Sequence, residues 1–226
     1  MKILGIDSST PQSCSAAFLE NQTILSQAEI TFDTPRSDHI LTLVDKVLAG
    51  SRLEEIDGFA VTSGPGSFTG LRASAGILKG FVLATEKPFM GVNTLEALAA
   101  LAAPTPCQIC AILDAKKNEV YAAFFNHGDD RPTRLSKDQV MPPTALPEAV
   151  SVPTLFIGNG VRTYGDMLST TLGDLYLGEP ETKKISIAAS VALLAFGRFA
   201  SEKSFDLDSL QINYIRKSEA EIKLRS

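Results

Sequence analysis

The chain has 226 residues, of which 44% are hydrophobic, and a formal net charge of −5 at pH 7. This length suffices for one large domain or for two lobes of about 110 residues each. The acidic balance argues against a protein that grips nucleic acid by itself, because phosphate contacts supply most non-specific affinity. The sequence shows neither a signal-peptide pattern nor an apolar stretch approaching the roughly 18 residues of a membrane helix. We therefore expect a cytoplasmic protein without membrane contact.

The first half of the sequence predicts five strands and three helices. Hydrophobic patterning and turn residues predict strands at residues 2–7, 13–20, 23–31, 56–61 and 88–92. A polar loop at 33–37 precedes a helix that is capped by Ser37 or Asp38, runs to about Ala49 and is closed by Gly50. The second helix follows a cap at Ser67 or Thr69 and covers 68–84, and the third runs from a cap at Asn93 or Thr94 to about residue 103.

The second half repeats this order. Pro104-Thr105-Pro106 breaks the chain, and there we place the boundary between an N-terminal lobe, 1–103, and a C-terminal lobe, 104–226. The predicted strands are 107–114, 119–126, a third near 135–140, and 154–157, with helices at 144–150, from the glycines at 158–160 to 172, and at 187–200. An extended segment, 211–216, precedes a tail from residue 217. Order repeated at an offset of about 100 residues predicts two lobes of one fold.

A glycine loop with Gly64, Pro65, Gly66 and Gly70 leads into the second helix. In one interpretation its backbone N–H groups bind an anion at the helix N-terminus. In the other, the glycines make a tight turn and let the helix pack close to the sheet. The loop matches neither G-x-x-x-x-G-K-[ST] nor G-x-G-x-x-G, and its spacing favours packing.

Two glycines inside the same helix, Gly76 and Gly80, are four residues apart and share one face. Each lowers helix stability by about 1 kcal/mol relative to alanine, so a compensating contact is expected. Close approach of a partner helix is one explanation, and contact with the chain's own sheet is the other. On the first helix, Leu43 lies off the centre of the apolar stripe and is a candidate for a further contact.

The C-Q-I-C sequence at Cys107 and Cys110 invites a redox or zinc interpretation. Residues three apart on the predicted strand point to opposite faces, which separates the two thiols. Besides Cys14, the chain offers only His39 and His127 as further soft ligands. We therefore expect buried structural thiols.

Two lobes of this order, with Asp7 at the end of the first strand, resemble the superfamily of actin, hexokinase and the heat-shock chaperone ATPases. More closely, MKILGIDSST, SGPGSFTGLR, LDAKKNEVYAAF and INYIRK resemble the TsaB (YeaZ) family, from Met1 to about Lys217. The resemblance implies an α/β, two-lobed actin/hexokinase-like (ASKHA) fold in which each lobe is a mixed sheet with helices.

The resemblance also implies a function. TsaB-like proteins are non-catalytic relatives of TsaD, the catalytic subunit that makes threonylcarbamoyladenosine on tRNA beside the anticodon. The implied role is a scaffold that binds and activates TsaD, is joined by the ATPase TsaE, reaches tRNA only through the complex and forms a homodimer when alone. The implied partner face lies on the first lobe's helices and comprises His39, Leu43, Leu71, Gly76, Lys79 and Gly80.

Departures from the catalytic relatives indicate a chain without catalytic or metal-binding residues. TsaD-like chains carry His-x-x-x-His on the first helix, whereas this chain has His39 followed by Leu43. Superfamily phosphotransferases keep Asp-x-Gly-x-Thr after the first strand and a second Asp-Gly later, but here Ser9 and Ala115 replace the glycines. A vestigial nucleotide cleft is formed in this interpretation by Asp7, Ser9, Thr10, Asp114, Gly158 and Gly160. We expect no tightly bound cofactor, with ATP or ADP entering only at the level of the complex.

Two enzyme alternatives remain. An ATP-dependent sugar or small-acid kinase of the same superfamily would hydrolyse or transfer phosphate from ATP with magnesium, which a scaffold would not. A metallopeptidase has less support, because the sequence lacks H-E-x-x-H and has only two histidines. Lys116 stands where the family usually has arginine, so a bidentate contact at that turn would be lost.

Overall fold

The computed structural model describes residues 1–31, 39–102, 104–127 and 131–213, and its strands form two mixed sheets. The first sheet has the order β3-β2-β1-β4-β5, in which β1 pairs antiparallel with β2 and parallel with β4. Its strands are β1 (Lys2–Thr10), β2 (Ser13–Glu20), β3 (Thr23–Thr31), β4 (Gly58–Gly64) and β5 (Phe89–Asn93). β1 is buried almost throughout because helices cover both faces of this sheet.

The second sheet repeats this arrangement in the order β10-β6-β7-β8, with β9 also paired to β7. Its strands are β6 (Thr105–Lys116), β7 (Glu119–His127), β8 (Pro132–Arg134), β9 (Gln139–Met141) and β10 (Thr154–Ile157). As in the first sheet, the first strand pairs antiparallel with the second and parallel with the strand that leads into a helix. The predicted repeat of one fold in two halves is confirmed.

Five α-helices accompany the sheets in the described residues. They are α1 (Ile40–Leu48), α2 (Phe68–Thr85), α3 (Thr94–Ala99), α4 (Asn159–Leu172) and α5 (Ile187–Glu202), and 3₁₀ turns occur at Leu53–Glu55, Pro143–Ala149, Gly173–Leu175 and Leu207–Ser209. None of these helices is long and apolar enough to cross a membrane. The loop predicted at 33–37, the caps Ser37 and Asp38, and residues 103, 214–216 and 217–226 lie outside the described residues.

Different helices cover the two faces of the first sheet. α1 and α2 pack on the face that carries Leu4 and Ile6, and α5 packs on the opposite face, which carries Ile3 and Ala60. α5 lies so close to β1 that a Cβ on Gly5 would be 2.3 Å from the carbonyl oxygen of Ala188. A helix from the end of the chain therefore covers the first sheet, while α3 packs on the second sheet.

The position of α5 on the first sheet affects the predicted division into lobes. The proposed boundary between 103 and 104 separates the strands of the two sheets, but it does not separate their helices, because α5 lies on the first sheet. Division of the chain into lobes 1–103 and 104–226 stays a prediction. A refined proposal assigns α5 to the first lobe.

One predicted strand is wrong. The single strand expected near 135–140 is replaced by β8 and β9, with the intervening residues outside the sheet. The reason is that Ser136 Oγ accepts a hydrogen bond from the backbone N–H of Phe124 at 2.9 Å, so a side chain takes the place of a strand carbonyl.

The end of α1 also differs from the prediction. The helix ends at Leu48, and positive φ begins already at Ala49, with φ 49°, before the predicted Gly50, with φ 93°. Ala49 N–H caps the carbonyl of Asp45 at 3.2 Å. A left-handed conformation is unfavourable for a residue with a Cβ, so this cap stores strain.

Ala49→Gly is expected to raise the free energy of unfolding by about 0.5–1 kcal/mol, because glycine adopts positive φ without that penalty. Ala84→Gly is the matched control, since Ala84 is exposed inside α2 and is not among the residues with positive φ. It should lower stability by up to about 1 kcal/mol. Urea unfolding measures both, and a loss of stability in Ala49→Gly would show that the cap is not left-handed.

Candidate partner face and nucleotide cleft

The exposed face of α2 carries the two helix glycines. Gly76 and Gly80 are exposed, and a Cβ built on either one meets no atom within 4 Å. The interpretation in which they serve close packing on the chain's own sheet is therefore wrong. Among the described residues, no contact offsets their unfavourable helix propensity.

Large apolar side chains flank these glycines. Phe68 is 36% exposed and Leu83 is 72% exposed, on the same helix. The guanidinium of Arg72 lies 3.9 Å from the centroid of the Phe68 ring. Stepping by four along the helix from Phe68 gives Arg72, Gly76 and Gly80. This spacing of four residues is the signal by which the sequence could have assigned Phe68 and Arg72 to the same face as the two glycines.

The six residues predicted for the partner face do not share one environment. Leu43 and Leu71 are each 1% exposed, so their assignment to an exposed face is wrong. Leu43 packs in the core with the other buried residues of α1, and Leu71 lies against Gly64. Lys79 and His39 are half-buried. On α1, the exposed apolar residue is Leu41, at 54% exposure.

The glycine loop packs directly on the end of β1. A Cβ on Gly66 would lie 2.3 Å from the carbonyl oxygen of Ser9, and a Cβ on Gly70 would lie 1.9 Å from that of Ser8. The backbone N–H of Ser67 donates to the carbonyl of Ser9 at 2.7 Å. The packing interpretation of the loop is confirmed, because glycine is needed for this approach.

The predicted cap of α2 is also confirmed. Ser67 Oγ accepts a hydrogen bond from the N–H of Gly70 at 3.3 Å. Ser8 Oγ in turn donates to the carbonyl of Gly70 at 2.7 Å. The first turn of α2 is thus tied to β1 by both its backbone and its cap.

Asp7 is buried beneath this loop, with 1% of its surface exposed. Its Oδ1 accepts hydrogen bonds from the N–H of Ser9 at 3.0 Å and from Thr62 Oγ1 at 2.9 Å. Among the described residues, neither Asp7 Oδ2 nor Ser9 Oγ has a hydrogen-bond partner, although both atoms are buried. Burial raises the pKa of Asp7 despite these hydrogen bonds. Thr10 is half-buried and bonds to Ser13 Oγ at 2.8 Å.

Asp7→Asn is expected to stabilise the protein at neutral pH, because a neutral amide replaces a carboxylate that is unfavourably buried. The pKa of Asp7 is higher in the folded state than in the unfolded state, so the folded state binds a proton more tightly. The stability of the wild type therefore falls as the pH rises from the pKa of the unfolded state through that of the folded state. The stability difference between variant and wild type should therefore grow with pH. Urea unfolding from pH 4 to pH 8 measures it, and a flat difference would contradict the raised pKa.

The second lobe repeats the close packing of a glycine loop. A Cβ on Gly158, where φ is 113°, would lie 2.2 Å from the carbonyl oxygen of Ile112, and Gly160 packs on the side chain of the same residue. Asn159 Oδ1 accepts a hydrogen bond from the N–H of Asp114 at 2.9 Å. Asp114, Gly158 and Gly160 are thus brought together, as Asp7 and Ser9 are in the first lobe.

The β6–β7 hairpin has an unusual backbone. Lys116, Lys117 and Asn118 all have positive φ, of 62°, 52° and 58°. Lys116 Nζ lies 2.9 Å from Asp114 Oδ2, so the predicted cleft acid is paired with a cation from its own hairpin. This pairing needs one amine rather than a guanidinium fork, which suits the lysine at this position.

The cysteines lie as the strand prediction requires. Cys107 and Cys110 are both on β6, and Cys110 is fully buried beside α4. Burial raises the pKa of the Cys110 thiol far above its usual range. Cys14 is also buried, whereas Cys107 is half-buried, and none of the three forms a disulfide. The prediction of buried thiols at Cys107 and Cys110 is therefore confirmed for Cys110 and wrong for Cys107, which is only partly buried.

Cavities and ligand clusters add little to the predicted cleft. A pocket of about 240 Å³ lies beside β5, between Gly91 and the segment that includes Ser204 and Leu210. It is small for a ligand site, and it is lined by neither Asp7 nor Asp114. Among the described residues, no group of three or more His, Cys, Asp or Glu is placed to hold a metal ion.

In each sheet the first strand pairs antiparallel with the second and parallel with a strand that leads into a glycine loop and a helix, and this arrangement defines an α/β protein with an actin/hexokinase-like (ASKHA) fold. The family model described as "TsaD: tRNA N6-adenosine threonylcarbamoyltransferase" matches residues 34–223. The chain belongs to this family, and the relatives that match it over their whole length are of the TsaB (YeaZ) type.

Three comparisons give the extent of the similarity. The Escherichia coli "tRNA threonylcarbamoyladenosine biosynthesis protein TsaB" is 29% identical over 240 residues, covering 99% of this chain and 98% of that protein. The structure of YeaZ from Pseudomonas aeruginosa has a TM-score of 0.71 at 24% identity and covers 95% of this chain and 99% of its own. The activator of 2-hydroxyisocaproyl-CoA dehydratase from Clostridium difficile shares the fold, with a TM-score of 0.53 at 12% identity, over 88% of this chain and 95% of its own.

Proposed function

We propose that this protein takes part in tRNA threonylcarbamoyladenosine biosynthesis as a non-catalytic subunit that binds and activates a TsaD-like transferase. A TsaE-like ATPase joins the pair, and tRNA is reached only through the complex. The names of its full-length relatives support the pathway. The single observation that supports the binding role is the face of α2 on which Gly76 and Gly80 are exposed.

The chemistry of this face suits a helix from a partner. Gly76 and Gly80 let another helix axis approach closely, while Phe68 and Leu83 supply apolar surface at both ends. Binding would remove these side chains from water and offset the low helix propensity of the glycines. An exposed apolar stripe interrupted by glycines is unfavourable for a protein that works alone. We therefore place the partner on the outer side of α1 and α2.

The same face can pair with itself. A related catalytic subunit would present a similar helical layer, so a homodimer and the heterocomplex would use one surface and exclude each other. We propose the homodimer as the state of the isolated protein. The site of action would be the cytoplasm.

The region around Asp7 supports a non-catalytic role over the kinase alternative. A phosphotransferase needs the first-strand aspartate in contact with solvent and ligand, whereas Asp7 and Ser9 are each 1% exposed beneath the loop at Gly66. Asp114 is paired with Lys116. We propose that no nucleotide binds tightly to the isolated chain, and that ATP or ADP acts at the level of the complex.

Reconstitution tests this function. Modification of tRNA by the TsaD-like and TsaE-like subunits should require this chain, and the chain alone should hydrolyse almost no ATP with magnesium. Asp7→Ala should leave complex formation and modification within about twofold of wild type, because Asp7 is assigned no catalytic role. Phosphate release by the chain alone, abolished by Asp7→Ala, would favour the kinase. Modification that proceeds without the chain would refute the scaffold.

A further inference from the structure

A cluster of four polar side chains joins the two sheets. Its centre is Asp138, whose side chain is 9% exposed. Asp138 Oδ1 accepts a hydrogen bond from Arg134 Nη1, and Oδ2 accepts from Asn93 Nδ2 and, at 2.8 Å, from Asn213 Nδ2. Arg134 Nη2 also donates to Asn93 Oδ1 at 2.7 Å, which closes the cluster. A largely buried carboxylate with an arginine and two amide donors forms strong, charge-assisted hydrogen bonds.

The members come from three separate parts of the fold. Asn93 is the last residue of β5 and caps α3 by accepting from the N–H of Glu96 at 3.0 Å. Arg134 ends β8 in the second sheet and lies over the ring of Phe125, 4.7 Å from its centroid. Asn213 belongs to the segment that follows the 3₁₀ turn at Leu207–Ser209. Asp138 therefore connects the first sheet, the second sheet and the end of the described chain.

Asn213 is also fixed through its backbone to the glycine loop. Its N–H donates to the carbonyl of Ser63 at 2.7 Å. Its own carbonyl oxygen would lie 2.8 Å from a Cβ on Gly64, a residue with φ 101°. Glycine at 64 thus serves two needs, a left-handed backbone and room for Asn213. The loop held in this way leads within four residues into α2.

We propose that Asn93, Arg134, Asp138 and Asn213 form an interlobe latch, by which the second lobe holds the segment containing Asn213 on the glycine loop and so positions α2 for partner binding. Asp138 is a positioning residue, since it lies outside the exposed face of α2. The coupling to a partner rests on the proposed function, whereas the latch itself does not.

Hydrogen exchange on the isolated protein tests the latch directly. Asp138→Ala should speed exchange of the Asn213 amide about tenfold, the factor expected from losing a hydrogen bond to a charged group, and should speed exchange in the loop from Ser63 to Leu71. Asp174→Ala controls for removal of an exposed carboxylate in the second lobe. Val161→Ala controls for general loss of stability, since it removes methyl groups from the core beside α4. Unchanged exchange at Asn213 in Asp138→Ala would overturn the latch.

Titration with the TsaD-like subunit tests the coupling. Asp138→Ala should weaken binding about tenfold, and Asn213→Ala should produce no further loss when combined with it, because both act through one contact. Val161→Ala should bind normally. Faster exchange at Asn213 with unchanged affinity would keep the latch but overturn its control of the partner face. If wild type itself fails to bind, the proposed function falls, while the exchange experiment still decides the latch.

Discussion

Gly70→Ala is expected to unfold the protein or to lower its free energy of unfolding by at least about 3 kcal/mol. The new Cβ would lie 1.9 Å from the carbonyl oxygen of Ser8, which is backbone in the buried strand β1 and cannot rotate away. Relief would require α2 to lift from the sheet, which would break the bond from Ser8 Oγ to the carbonyl of Gly70. Urea unfolding followed by circular dichroism measures the loss.

Gly76→Ala in the same helix is the matched control. A Cβ there meets no atom within 4 Å, so the substitution should raise stability by about 1 kcal/mol through helix propensity. Opposite signs for one substitution at two glycines of α2 would establish which side of the helix faces the sheet. A Gly70→Ala protein as stable as wild type would mean that the start of α2 does not rest on β1.

Gly76→Leu is expected to abolish self-association while leaving the monomer at least as stable as wild type. Bulk at the closest point of a helix crossing forces the two helices apart, whereas in the monomer the same side chain projects into solvent. We expect the dimer dissociation constant to rise at least about a hundredfold, close to 2.8 kcal/mol. Sedimentation over a range of protein concentrations measures it.

Gly197→Leu supplies the control for added bulk. Gly197 is an exposed glycine inside α5, and a Cβ on it also meets no atom within 4 Å. The variant should therefore dimerise like wild type. Loss of the dimer in both variants would point to a general effect of an exposed leucine, and a normal dimer in Gly76→Leu would exclude this face.

Local signals predicted much of the first lobe. Hydrophobic patterning and turn residues placed β2 and β3 at their observed bounds. Ser67 or Thr69 and Asn93 or Thr94 were predicted as caps, and in the structure Ser67 and Asn93 each accept a hydrogen bond from the backbone N–H three residues later. The order of elements predicted two halves of one fold, and the family resemblance implied which fold.

Tertiary contacts that the sequence does not encode locally account for the errors. Leu43 lay near the edge of the apolar stripe of α1, and only the sheet beneath the helix shows that it is buried. The apolar helix α5 carries no signal for which sheet it covers, since its partners Gly5 and Gly58 are distant in sequence. The latch at Asp138 likewise joins residues from three separate segments.

The central claim is that the exposed face of α2 is the partner site. Calorimetric titration of the TsaD-like subunit into wild type, Gly76→Leu and Gly197→Leu tests this claim most directly. The account predicts saturable binding by wild type and Gly197→Leu, and an affinity at least about a hundredfold lower for Gly76→Leu. Thermal melts of the same samples should show that Gly76→Leu is fully folded. Equal affinity of all three proteins for the TsaD-like subunit would contradict it.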